Sequence, residues 1–400
     1  MSTSRLRKLA RDQSGFSLVF VGFGCMAFVA ASMLAIDVGM LMTARSQAQN
    51  AADAGALAGA TALAFESWTD RSPSGPAVTS AIATSKANQV MSGDVDVTAA
   101  DVEFLNDPAG SNNRVRVTVY RDASRGNPVS TLIAKYFGIK TAGVRAVAMA
   151  EASPANSMTC VKPFTIPDRW IEKNPVTTAW SPDETFLRYG KKGVLLSPAD
   201  VYEPAYMYPN AQDWGPANPA YSGYNMEQNR GMKLVLRAAR GNEINPSFYF
   251  SLAMTDDTGG QDYRWNIANC NRSIYSWNDP LIQEPGAMEG PTIQGIEELI
   301  ARDPGAVWNT STNNVDNSAF GDRQSPRVFP IPLYDPDYYN SGKEIGRVAT
   351  LRVANWIGFF VEYIGNGSEI HGRVIPIGGI RNRTLTNGTD AFPKAIRLVQ

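Results

Sequence analysis

His371 is the chain's single imidazole, and Cys25, Cys160 and Cys270 are its only thiols. A hydrolase built on them needs a nucleophile, that imidazole and an orienting acid brought together in space. No G-x-S-x-G elbow is present, and a lone histidine is more often structural than catalytic. An anchored envelope hydrolase using His371 is therefore a secondary reading. Asp256, Asp257 and Asp262 form a short acidic stretch, but their spacing fits no EF-hand, and a solvated loop is expected. Asp122-Ala-Ser124-Arg-Gly126 starts like the D-x-S-x-S of a metal-dependent adhesion site, yet ends in glycine and is followed by Asn-Pro. A plain turn is expected there. Gly22-Phe-Gly24-Cys-Met-Ala27 fits G-x-G-x-x-A. A dinucleotide fold, however, needs a turn and a second strand where this apolar run simply continues. The residues give no catalytic, cofactor-binding or metal-binding assignment.

Those residues sit on 400 positions with 37 basic and 38 acidic side chains, a net charge of -1. That balance lacks the basic excess that neutralises phosphates in a nucleic-acid binder. Apolar residues make up 44%, enough to build real cores, and the length suggests more than one domain.

Phe16 to Ile36 reads FSLVFVGFGCMAFVAASMLAI without a charge. As a helix this run spans about 31 Å, matching a hydrocarbon core of roughly 30 Å. Arg5, Arg7, Lys8 and Arg11 precede it, whereas Arg45 is the first basic residue after it. The positive-inside rule then puts the N-terminus in the cytoplasm and the rest of the chain outside. A cleaved signal peptide would have a shorter apolar region, so a retained anchor is expected. Asp37 closes the run as a membrane-edge acid, either wetted at the outer interface or turned to a partner helix or a polar contact there.

No proline occurs before Pro73, so the helix can continue to about Phe65, some 75 Å in all. Small residues recur along it at Ala27, Ala31, Ala35, Gly39, Ala51, Gly55 and Gly59. Such a seam lets another helix approach closely, although alanine is also simply a good helix former.

Pro73-Ser-Gly-Pro76 breaks the helix, and a second one is expected over 77–91. Strand alternation follows at Val102/Phe104 and Val115/Val117/Val119. Val129, Leu132, Ile133, Tyr136 and Phe137 are spaced as one face of a helix stopped by Gly138. Val144, Ala146, Ala148 and Ala150 read as a last strand, giving a small α+β sandwich. Composition shifts near Ser153, beyond which lie seven of the eight tryptophans. Strands are expected at 233–238, 248–253, 327–334 and 352–364, and a helix at 292–302. The overall expectation is an α+β chain divided as follows: cytoplasmic N-terminus 1–15, transmembrane helix 16–42, helix extension 43–72, small α+β module 73–152 and β-rich extracytoplasmic domain 153–400. Outside the cytoplasm Cys160 and Cys270 would form a disulfide, while Cys25 lies in the membrane run.

The stretch RDQSGFSLVFVGFGCMAFVAASMLAIDVGMLMTARSQAQNAADAGALAGATAL resembles the N-terminal domain of TadE/TadG-like proteins of bacterial Flp (Tad) pilus assembly. The apolar run ending A-I-D-V-G and the string Q-x-Q-N-A-A-D-A-x-A-L-A carry the likeness. CVKPFTIPDRW, NIANCN, PGAMEGPTIQGIEELIARDPGAVW and SPRVFPIPLYDP look TadG-like too. The resemblance implies a membrane-anchored component of a pilus assembly apparatus with pilin-like partners. A pilin-type cut after Gly15 would put Phe20 where such precursors carry glutamate. The D-x-S-x-S of relatives bearing a von Willebrand A-type domain is missing. The leading expectation is a non-enzymatic structural or assembly protein of the bacterial inner membrane, with pilus-assembly proteins or further copies as partners. A surface-binding adhesin is the alternative.

Overall fold

The computed structural model describes residues 14–108, 110–175, 179–204, 221–239, 241, 243–254, 259–321, 324–344, 350–382 and 392–399. The chain is α+β. It begins with one helix of 52 residues, α1 (Ser14–Phe65), about 78 Å long at the standard rise. From Ser17 to Ala31 every residue of α1 is exposed. Further along, Ala44, Ala48, Ala51, Ala52, Ala56, Ala60 and Leu63 are buried, a stripe at helical spacing. The helix stops where the amides of Glu66 and Ser67 both turn back to the Ala62 carbonyl.

A second helix, α2 (Pro76–Ala87), starts with proline in its first turn, where the missing N–H costs nothing. It runs antiparallel to α1, with Ser85 and Ala81 beside Gly55 and Ala77 beside Gly59. Both helices cover one face of an antiparallel sheet. Its members are β1 (Val102–Leu105), β2 (Arg114–Arg121), β3 (Val144–Pro154) and, skipping six strands of the distal part, β10 (Lys394–Val399), paired in that order. Val115, Val117 and Val119 of β2 sit opposite Ala150, Ala148 and Ala146 of β3 and present small apolar side chains to α1. The small residues allow the helix to lie close to the sheet. The chain thus returns from its far end to add β10 along β3, with Leu398 opposite Ala150.

The distal part is built on a closed barrel of six strands. These are β4 (Phe164–Pro167), β5 (Lys233–Ala238), β6 (Phe248–Ser251), β7 (Val328–Tyr334), β8 (Leu351–Ile364) and β9 (Ile370–Ile375). Around the ring the order is β8, β7, β4, β6, β5, β9 and back to β8. Closure leaves no free edge among these six. Two helices, α3 (Gly260–Ala268) and α4 (Glu289–Arg302), pack on the barrel. The core is aromatic: Phe164 meets Tyr249 at 5.4 Å and Phe329 at 6.1 Å between ring centroids. Another helix of this part, α5 (Pro336–Glu344), follows β7.

The second helix stops at Ala87 rather than 91 and the extension of α1 at Phe65 rather than 72, and two further segments differ outright from the sequence expectation. The helix expected over 129–137 is absent: Val129–Ser130 pairs with Thr141–Ala142, and a 3-10 turn occupies Ala134–Phe137. Gly138 closes that turn at φ 90°, a conformation glycine takes without strain. Residues 394–399, expected in the β-rich domain, belong to the sheet beneath α1 instead.

Candidate functional site

α1 divides into two environments, and Asp37 marks the border. Its carboxylate accepts the backbone N–H groups of Leu132 (2.8 Å), Ile133 (3.1 Å) and Ala134 (2.5 Å). Asp37 is only 5% exposed, and of the surroundings expected for it the fold supplies the polar contact, with these amides. Consecutive amides at the start of a turn form an anion cradle, and here a side chain of the chain's own helix fills it. The segment 131–140 is thereby held against α1 at the end of the uncharged run.

From Ala51 onward the small-residue seam closes on the chain itself. A Cβ on Gly55 would stand 1.9 Å from Ser85 Oγ and 3.0 Å from the Ala81 carbonyl, and one on Gly59 would stand 2.8 Å from Val115 Cγ1. Ala51 is fully buried. The partner of this half of the seam is α2 together with the sheet. Ala27, Ala31, Ala35 and Gly39 are exposed, and nothing lies within 4 Å of a Cβ built on Gly39.

Under α1 the sheet is fastened by Glu151, which sequence reading passed over. Its buried carboxylate accepts from Arg114 Nε (2.9 Å), Arg381 (2.9 Å), Arg397 (3.2 Å) and the Ser153 hydroxyl. Burial pushes the carboxyl up, but the bonds from Ser153, Arg114 and Arg397 outweigh it and hold it below the ordinary range. One acid thus joins β2, β3 and β10. Its signal in the sequence is a lone carboxylate in the alanine-rich strand VRAVAMAEASP, beside the arginine-rich RVRVTVYR.

Where α1 ends, Arg230 donates to the Glu66 carbonyl (2.6 Å) and the Trp68 amide donates to Glu227 (2.7 Å). An open cleft of about 900 Å³ lies beside this junction, lined by Thr61 and Phe65 of α1 and by Met158, Arg230 and Pro376.

Cys160 and Cys270 form a disulfide across a separation of 110 residues, with Cα atoms 4.3 Å apart. Neither thiol is available as a nucleophile. Nearby, the buried Lys162 ammonium donates to the carbonyls of Ile267 (2.5 Å) and Asn269 (2.8 Å) at the C-terminal end of α3. A cation there complements the helix dipole, though burial, with Arg302 close by, brings the group down to about 7. Asp168 is another buried acid, accepting from Tyr221 (2.7 Å), Tyr202 (3.0 Å) and the Tyr224 amide (3.2 Å). Burial raises its carboxyl to about 6 despite those bonds.

The remaining chemistry-bearing residues are engaged structurally. His371 stacks on Tyr363 at 4.5 Å and contacts Glu369 at 3.2 Å. Asp122 caps a short turn, accepting from Ser124 Oγ (2.5 Å) and the Arg125 amide (3.2 Å). Gly22 to Ala27 lies wholly within α1. Asp262 accepts from Asn266 at 3.0 Å, while Asp256 and Asp257 lie outside the described residues, as do Arg5, Arg7, Lys8 and Arg11. Among the described residues no three His, Cys, Asp or Glu side chains converge to hold a metal ion.

Residues 15–62 match a family model described as "Putative Flp pilus-assembly TadE/G-like". The resemblance read from the sequence holds over that stretch, which covers most of α1 and ends just before its C-terminus. The later segments taken as TadG-like lie outside it. No curated protein and no solved structure matches the chain.

Proposed function

We propose that the chain is a membrane-anchored structural or assembly component of an Flp-type pilus system. The observation that carries this is a coincidence of limits. The matched segment 15–62 begins with a helix stretch long and apolar enough to cross a bilayer, all of it exposed from Ser17 to Ala31, and continues into a stretch locked in the chain's own fold. The exposed stretch crosses the inner membrane once. Its basic N-terminal flank stays in the cytoplasm, and the sheet and barrel stand on the periplasmic side. The disulfide agrees with an oxidising compartment. On this reading Ala27, Ala31, Ala35 and Gly39 form a face for other membrane helices, those of pilin-like subunits or of further copies. The protein works by holding and positioning partners rather than by catalysis.

A periplasm-dependent phosphatase reporter fused after Gln400, combined with purification of the full chain from native envelopes, tests this. The expected result is an active reporter together with pilus-assembly proteins in the purified complex. An inactive reporter in a full-length fusion, or a complex without pilus proteins, would count against it.

A further inference from the structure

Segment 131–140 carries apolar side chains that no described residue of the fold covers. Leu132, Tyr136, Phe137 and Ile139 are 52%, 77%, 66% and 59% exposed, and the flanking Lys135 and Lys140 are exposed as well. The segment is the tip of a short hairpin. Its base is closed by the Thr131 amide on the Lys140 carbonyl (3.1 Å) and the Thr131 hydroxyl on the Ile139 carbonyl (2.6 Å).

Its height along α1 follows from three contacts. Gln49 donates to the Val147 carbonyl at 3.1 Å. Three residues earlier on β3, Val144 and Arg145 share a cavity of about 270 Å³ with Val38, Leu41, Met42 and Arg45. Earlier still, the amides of Leu132 to Ala134 rest on Asp37. Moving back from Val147 therefore moves down α1 toward the uncharged run, and the tip stands where that run ends. Leu34, Ile36 and Val38 of α1 are exposed at the same level.

A contiguous apolar patch on a folded surface marks a contact. The continuity of this one with the lipid-facing part of the helix identifies its occupant. Aromatic and aliphatic side chains beside lysines are what the boundary between headgroups and acyl chains favours. Arg45 and Arg145 at the cavity add charge suited to lipid phosphates.

We propose that the tip Leu132–Ile139 is a second membrane contact, lodged in the headgroup region of the leaflet from which α1 emerges. This rests on the reading of α1 as a membrane span. Two attachment points fix the tilt and rotation of the folded part over the bilayer. Asp37 is then a positioning residue that ties the loop to the helix.

The test uses the full chain in nanodiscs containing phosphatidylglycerol, in a Cys25→Ala background with the native disulfide intact. Single spin labels are introduced through Phe137→Cys, Phe28→Cys within the span, and Ala123→Cys on a water-exposed turn. The ratio of oxygen to nickel-chelate accessibility is then read at each site. The expected ratio at 137 is several-fold above that at 123 and approaches that at 28. A value at 137 equal to that at 123 would overturn the proposal, and so would protection from both reagents, which means a protein contact such as a second copy. If position 28 also behaves as water-exposed, the spanning reading fails and takes the proposal with it. Immersion at 28 without immersion at 137 sinks the second contact alone.

Discussion

The two halves of α1 use the same small residues in opposite surroundings. Before Asp37, Ala27, Ala31 and Ala35 are all exposed. After it, Ala51, Gly55 and Gly59 are pressed against α2 and β2. Spacing alone does not distinguish the halves. The difference lies in what stands opposite: sheet and helix supplied by later sequence for one half, and no described residue of the chain for the other. A seam of small residues permits close approach, and the rest of the chain decides whether the approach is internal.

The largest effect that would test this contrast is on the embedded half. Gly55→Leu with Gly59→Leu must push α2 and Val115 away, and should cost about 3–5 kcal/mol of local stability. The loss should appear as faster amide exchange over residues 44–65. The same variant is therefore a poor probe of pilus partners, since it breaks the chain's own packing first. Unchanged exchange would mean that α2 is not seated on α1 as described.

Next comes Glu151. Removing it as Glu151→Ala leaves Arg114, Arg381 and Arg397 without their shared acceptor, at a cost of about 2–3 kcal/mol. Because its carboxyl is held below the ordinary range in the fold, its contribution is complete above about pH 4–5. That contribution fades as pH falls through the lowered value. Acid titration should release β10 from β3 in the wild type, and Glu151→Ala should lack this acid-dependent step. A flat wild-type profile below pH 4 would contradict the clamp.

A smaller change is expected at the border. Asp37→Ala strips Leu132, Ile133 and Ala134 of their acceptor. Exchange of those three amides should rise sharply while that of residues 44–65 changes little. Equal acceleration in both regions would show that Asp37 serves the whole module rather than the loop. The smallest effect on stability belongs to Ala31→Leu, within about 0.5 kcal/mol, since no described residue covers that position.

Local signals made much of the fold legible. The unbroken apolar and alanine-rich stretch specified α1, alternation located β2 and β3, and a β-branched and aromatic run bounded by turn formers located the long barrel strand β8. The Ile/Leu spacing of residues 292–302 found most of α4. The cysteine pair was readable from compartment logic. Non-local pairings were not legible. β10 joins β3 across some 240 residues, and Glu151 gathers arginines from three separate segments, so no window of sequence contains both partners. The loop at 132–139 misled for a different reason. Its apolar spacing imitates a helix face, but no face of the fold receives those side chains. Its amides bind Asp37 and its apolar groups remain outside. Periodicity reports which residues avoid water, not what they meet instead.

Photocrosslinking in native envelopes addresses the central claim most directly, with a photoreactive residue at Ala31 in one chain and at Ala51 in another. The account predicts adducts from position 31 to a second membrane polypeptide, and from position 51 only links within the chain. Intermolecular adducts from 51, or none from 31 while the chain is anchored and folded, would contradict it.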